Sequence, residues 1–527
     1  MTALHDLLLG DGPPGARRAA WLAAPAGAGA VTAMLATARD AAAPIHATGA
    51  GRLGAVATGS PHATPIGMAT MRAGGTAADA AAAAALAMMV ADPPNASPAG
   101  RAHILWDAPG KPAQAIDGAT SAPAALPQGV AALPLPGAVR AILHLHASAG
   151  RLPLAAIAGP ARDLARDGFA LPCELARIWA WRAPELQDGD ARRVYLRGGA
   201  APAQGEVFRQ PGLATYFDRL IATGADPFAD PAFAGPFCDR LAAKGAAWTV
   251  DDLAAANPRA GEVIAHDGAG WRLVSIGRQG WGNTLLEIVT QGPVASDTDP
   301  LDRELAHLAA ILGAFADRAA GGPAPDRPAS PDRTTALARA LARLPATARG
   351  ADRDTTHLSV VDRAGMRVAL TQSIGPHFGA RVADPETGIL IAHSYRMAAA
   401  PEPRARDVTE QCPCLFDIAG TRLALGAAGS ERIPGAIAAV IGGLIAGQPL
   451  DRAIAAPRAN WLGDHVRAHL DAPAGLEAAL DAAGARLTFT GRGPVDHLGI
   501  VQAAAIHADG TVAAAADPAY AGAAAAV

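Results

Sequence analysis

Apolar and polar positions alternate most clearly between Asp354 and Ser373, which read D-T-T-H-L-S-V-V-D-R-A-G-M-R-V-A-L-T-Q-S. Val, Leu and Thr are dense on both sides of Arg363-Ala364-Gly365, a three-residue connection ending in the Gly that a type I turn with a bulge requires. The pattern predicts a hairpin pairing Asp362 with Met366, Val360 with Val368, Leu358 with Leu370 and Thr355 with Ser373. Directly opposed residues share a face. Met366, Val368 and Leu370 then fall on one side of the second strand, and Ala369, Thr371 and Ser373 on the other. Two hydroxyls, Thr355 and Ser373, meet at the open end. Taken alone, this is also the pattern of an ordinary amphipathic hairpin.

Helical signals flank it. The stretch after Thr58 predicts one helix ending at Gly74-Gly75. A second starts on Thr76 as N-cap, runs through an Ala-rich body and stops before Pro93-Pro94. The Ala runs suit close packing on a sheet. Near Leu425, L-G-A-A-G-S-E-R-I-P-G-A-I-A-A-V-I predicts a helix with Ser430 as N-cap and Glu431 in its first turn. The free N–H groups of such a start favour developing negative charge. His144 and His146 would point apart on a helix, and no third ligand lies nearby, so a metal site is not expected there.

Composition narrows the class. A chain of 527 residues allows two or three domains or one large composite fold. Half its residues are hydrophobic but only 4% are aromatic, so the core is built mostly of small side chains. The net charge of −4, without a basic run, argues against nucleic acid or an anionic membrane surface as partner. No breaker-free apolar stretch of roughly 20 residues occurs, so no membrane span is expected. Four Cys make no disulfide framework, and Cys412 and Cys414 are expected to be buried as small apolar groups. Residues 1–50 read as an N-terminal extension of a cytoplasmic protein. Arg17-Arg18, followed by an Ala/Gly-rich run to Ala38, leave twin-Arg export to the periplasm as the alternative.

The T-T-H-x-S-V-V-D block, the T-x-S that follows and the later G-I-L resemble the start of the small subunit of the γ-glutamyltransferase family. R-x-G-G-x-A-x-D-A-A-x-A-A-x-A from Arg72 resembles that family's large subunit, and the similarity extends over roughly residues 51–520. These are N-terminal-nucleophile (Ntn) hydrolases, each made as one chain that cuts itself before a Thr. The resemblance implies an α/β (α+β) fold, a four-layer αββα sandwich whose two subunits come from one precursor. It implies cleavage between Asp354 and Thr355 and Thr355 as catalytic nucleophile. Ser373 would be the supporting hydroxyl, and Gly429 and Ser430 the amides of the oxyanion hole. Residues 51–354 would form the large subunit, ending in a Pro-rich linker over about 319–354, and 355–527 the small one. No metal or organic cofactor is implied. The expected partners are a small-molecule amide or peptide substrate, with water or an amine as acceptor.

The chain departs from the family where the substrate is held. The Arg that grips the α-carboxylate is replaced by Ala119, the Asn after the second hydroxyl by Gly375, and an Asp that holds the α-amino group by Met397. A methyl group cannot stand in for a bidentate guanidinium. Arg101, Arg381, Arg396 and His393 lie in the replaced segments and are the candidate substrate-binding residues. The expectation is an amide hydrolase or acyltransferase of altered specificity, with weak or absent γ-glutamyl transfer. Hydrolases of oxamate or of β-lactam side-chain amides are the alternatives within the family. An uncut, non-catalytic scaffold is the alternative outside enzymes.

Overall fold

A computed structural model describes residues 45–126, 133–292, 299–322, 332–345, 354–393 and 402–527. Fourteen of its strands build two sheets: β1 Ile45–Gly49, β2 Gly54–Thr58, β3 Arg101–Asp107, β4 Gln114–Gly118, β5 Arg259–Gly261, β6 Val263–Gly268, β7 Trp271–Ile276, β8 Asp354–Asp362, β9 Arg367–Gly375, β10 Cys414–Ile418, β11 Thr421–Ala428, β12 Ile500–Ile506, β13 Val512–Ala516 and β14 Ala523–Ala526. One sheet runs β14-β2-β8-β9-β3-β4-β5, and the other β1-β13-β12-β11-β10-β7-β6. Strand β1 falls inside the stretch read from sequence as an extension, and it pairs antiparallel with β13. The twin-Arg segment and Arg396 lie outside the described residues.

The hairpin that the alternation predicts is β8–β9. Val360 faces Val368 and Leu358 faces Leu370, as its turn requires. The turn closes through Asp362 N–H to Met366 O at 3.1 Å, with Gly365 at φ +86°. At the open end the register slips: Asp354 pairs with Gly375, but Thr356 pairs with Gln372. Ser373 and Ile374 therefore stand opposite Thr355 alone, a bulge that turns the strand where the chemistry sits.

Small side chains fill the space between the sheets. Ala55, Ala57, Ala369, Ala424, Ala504 and Ala514 form that layer with Leu105, Val361 and Leu415. His357, the third residue of the T-T-H block, belongs to the same space. Its ring bonds the Thr371 and Ser359 hydroxyls at 2.8 and 2.9 Å, and burial pushes it down to about 3, so it is neutral. A Cβ on Gly426 would lie 2.3 Å from this ring, so only Gly fits across from it.

Helices cover both outer faces. On the β8–β9 sheet lie α1 Ala63–Arg72 and α2 Ala77–Ala91, packed on Val56, Ile104, Leu358 and Leu370. Helix α2 has Thr76 as N-cap in a capping box with Asp79, and it is buried along its whole length. On the second sheet lie α3 Pro300–Ala319 and α4 Arg432–Ile445, packed on Leu273, Leu423, Leu425 and Val501. Cys412 and Cys414 are fully buried there, with reduced thiols. The order helix, sheet, sheet, helix is the four-layer sandwich. Among the described residues, no helix is long and apolar enough to cross a membrane.

Candidate active site

The bulge lies at the ends of three central strands, beside a cavity of about 370 Å³ lined by Thr355, Asp354, Ser373, Gly375 and Arg101 from β8, β9 and β3. Asp407, Thr409, Glu410 and Gln411 line it too, with Trp281, Arg318 and Glu431. Arg318 lies over the Trp281 ring, 4.4 Å from its centroid. The cavity therefore holds charges of both signs beside a buried Thr hydroxyl.

Around the bond between Asp354 and Thr355 every contact is short. Ser373 Oγ–H donates to the Asp354 carbonyl at 2.8 Å and accepts from Gly375 N–H at 2.9 Å. The sequence placed Ser373 against Thr355 itself; in the uncut chain its hydroxyl instead reaches the carbonyl that would be attacked. The Thr355 amide donates to Asp354 Oδ1 at 2.8 Å. The other carboxylate oxygen, Oδ2, lies 3.2 Å from His497 Nε2 and 3.0 Å from His377 Nε2. Burial alone would raise this carboxyl, but the two imidazoles outweigh it and hold Asp354 well below 3.8. Burial keeps His497 below its ordinary range.

Neither His was singled out from the sequence, because each reaches Asp354 only through the tertiary fold. The one local signal is D-H-L-G-I at 496–500, a His placed just before a Gly and a strand.

Gly429 and Ser430 precede α4 at φ +124° and +55°. They line a neighbouring pocket of about 220 Å³ with Trp181, Trp461 and Arg432, and Glu431 lines both this pocket and the first. Ser430 is not the N-cap that the sequence suggested. Its left-handed backbone moves the helix start one residue on, to Glu431, and its hydroxyl is buried without a partner among the described residues. Gly429 packs beside the His497 ring, which a Cβ there would meet at 3.0 Å.

The candidate substrate residues separate in space. Arg101 faces the cavity; its Nη2–H donates to His393 O at 2.5 Å and its Nη1 lies 3.7 Å from Asp407 Oδ2. Its buried Nε has no partner among the described residues. His393 thus contributes its backbone carbonyl. Arg381 pairs with Glu185 and does not line the cavity. A Cβ on Gly375 would sit 2.9 Å from His393 O and 3.4 Å from Arg101 Nη2, so the guanidinium uses room that a side chain at 375 would fill. Ala119 is buried, and Asp117 two residues earlier is bound by Arg406 at 3.0 Å. Burial would raise Asp117, but His103 and Arg406 outweigh it and hold the carboxyl below the usual range.

A Thr at the start of a central strand of an αββα sandwich, with a second hydroxyl on the preceding carbonyl, defines the Ntn-hydrolase class. Within it, the family model for gamma-glutamyltranspeptidase matches residues 63–319 and 324–527, and the chain belongs to that family. Its relatives carry several activities. It is 27% identical over 514 residues to the acylase ACY 1 proenzyme of Pseudomonas sp. (strain SE83), covering 88% of this chain and 91% of that one. It is 25% identical over 477 residues to the glutathione hydrolase proenzyme of Arthroderma benhamiae, covering 77% and 82%. Its fold matches the crystal structure of cephalosporin acylase from Bacillus halodurans with a TM-score of 0.76 at 24% identity, over 92% of this chain and 97% of that one.

Proposed function

We propose that the protein cuts itself between Asp354 and Thr355, and that the freed Thr355 then hydrolyses an amide whose acyl group carries a carboxylate. The observation that carries this is the row across three adjacent strands: Thr355 on β8, Ser373 on β9 and Arg101 on β3, all lining one cavity. A new α-amino group at Thr355 has a pKa of about 7.7–8.0, so a useful fraction is neutral and serves as base for its own hydroxyl. The acyl-threonine formed is released to water, or to an amine acceptor. The amides of Gly429 and Ser430 are the proposed oxyanion donors. A side chain on Ser430 does not remove its N–H.

Arg101 is the proposed reader of the acyl carboxylate. Buried charges must be paired, and with Ala119, Gly375 and Met397 where the family places its Arg, Asn and Asp, the contacts to an α-carboxylate and α-amino group are lost. Weak or absent γ-glutamyl transfer follows. Intact mass of the purified protein tests the first step: two fragments meeting at Thr355 are expected, and Thr355→Ala should stay one chain of 52.8 kDa. A parent chain that also stays whole would favour the scaffold reading. A panel of γ-glutamyl anilide, glutaryl amides, oxamate and uncharged acyl amides tests the second. Turnover of the γ-glutamyl substrate above all others would sink the specificity reading.

A further inference from the structure

Asp354 is held far more firmly than a residue that merely precedes a cut. Its side chain is 2% exposed, and both oxygens are engaged. Oδ1 accepts the Thr355 amide at 2.8 Å, and Oδ2 faces His497 and His377 at 3.2 and 3.0 Å. The tautomer of His497 is fixed from behind: Gly499 N–H donates to Nδ1 at 3.2 Å, so Nδ1 is bare and Nε2 carries the proton that points at Asp354. His377 is backed edge-on by Trp181, with ring centroids 5.9 Å apart. The groups that meet here come from β8, the loop after β9 and the loop before β12. Burying a carboxylate is costly unless donors surround it, so an Asp kept here needs a use.

We infer that the Asp354 carboxylate is a reacting group of the self-cleavage, with His497 and His377 as the positioning residues that aim it. This rests on the reading that the chain cuts itself at this bond. Thr355 Oγ adds to the Asp354 carbonyl carbon while Ser373 donates to the oxygen as it becomes an oxyanion. The hydroxyl proton passes to Asp354 Oδ1. From there it moves to Thr355 N as the C–N bond breaks, leaving an ester between Thr355 Oγ and Asp354. One water then adds to the ester carbon and the C–Oγ bond breaks. The products are a free α-carboxyl on Asp354, and a free amine and hydroxyl on Thr355. The side-chain carboxylate ends as it began.

Pulse-chase in cell-free synthesis of the full chain, followed by denaturing electrophoresis, tests this with Asp354→Asn, His497→Gln, His497→Ala and His377→Gln. Asp354→Asn keeps the shape and should slow the cut at least about tenfold. His497→Gln, which retains an N–H donor, should cut faster than His497→Ala. Thermal unfolding of each precursor shows that it is folded. If the parent cuts and folded Asp354→Asn cuts equally fast, this inference fails while the proposed function stands. If the parent never cuts, both fail.

Discussion

Arg101 stands directly opposite Ser373 in the β3–β9 pair, so the cation and the hydroxyl that touches the Asp354 carbonyl share one face of the sheet. The distance between a bound acyl carboxylate and the attacked carbon is thereby fixed by strand spacing rather than by a loop. Arg101→Met should lower kcat/KM for carboxylated acyl amides by about 2–3 kcal/mol, or roughly 30- to 150-fold, the worth of a charge-assisted contact in a buried site. Uncharged acyl amides should be turned over at nearly the parent rate. Equal losses on both substrate types would assign Arg101 a structural role through Asp407.

Ser373 is the donor to the carbonyl oxygen in the uncut chain. Removing one preorganised donor of this kind typically costs about 2.7–4 kcal/mol of barrier lowering. Ser373→Ala should thus slow the appearance of the two fragments by about 10²–10³, while Ser373→Thr, which keeps a hydroxyl, should lose much less. Electrophoresis of precursor sampled over time reads both. Unimpaired cutting of Ser373→Ala would show that the 2.8 Å contact is incidental.

Much of this architecture was legible before the fold was known. The alternation around Val360 and Val368, with Gly365 to close the turn, determined both the pairing and the face of each residue. The bulge at Thr355 was not legible, because two outward counts from one turn assume an unbroken ladder. The slip belongs to the end of β8 where the Asp354 carboxylate is clamped by residues from two distant loops. His377 and His497 were invisible for the same reason. Ser430 had the right chemistry for an N-cap, yet the tight approach at Gly429 forces the chain into a left-handed turn that displaces the helix start. Arg381 looked equivalent to Arg101 by sequence; strand β3 carries one into the cavity, and Glu185 draws the other away.

Gly429 and Ser430 should respond to substitution in opposite ways. A Cβ at 429 would meet His497 Cε1 at 3.0 Å and the Gly499 backbone at 3.1 Å, at a φ that L-residues rarely adopt. Gly429→Ala should cost on the order of 1–3 kcal/mol in strain and displace His497 from Asp354, so cutting and turnover both fall. Ser430 already bears about 1–2 kcal/mol of left-handed strain, and its hydroxyl has no partner among the described residues to lose. Ser430→Gly relieves that strain against about 0.5–1 kcal/mol of added chain entropy. It should leave stability nearly unchanged and retain activity, because the amide remains. Loss of turnover in Ser430→Gly would mean that the hydroxyl, not the N–H, is what the reaction uses.

Asp92, at the end of α2, gives a pH dependence whose sign can be worked out. Its Oδ1 accepts from Tyr520 O–H at 2.9 Å and Asn95 Nδ2–H at 3.0 Å, yet among the described residues no cation pairs with it, and burial pushes it up to about 8. The unfolded chain releases this proton near pH 3.8, whereas the folded chain keeps it until about 8. Between those values the unfolded state binds fewer protons, so folding stability drops as pH rises, on the order of 1 kcal/mol per pH unit. Asp92→Asn keeps the shape and removes the titration. Glu304, raised by burial to about 7, slopes the same way but is present in both proteins and cancels in their difference. Thermal unfolding of Thr355→Ala precursors, with and without Asp92→Asn, should show the Asn protein gaining on its parent steadily from pH 5 to 8. A difference that stays flat over that range would place the Asp92 proton off the folded protein at neutral pH, and with it a second negative charge close to Asp354.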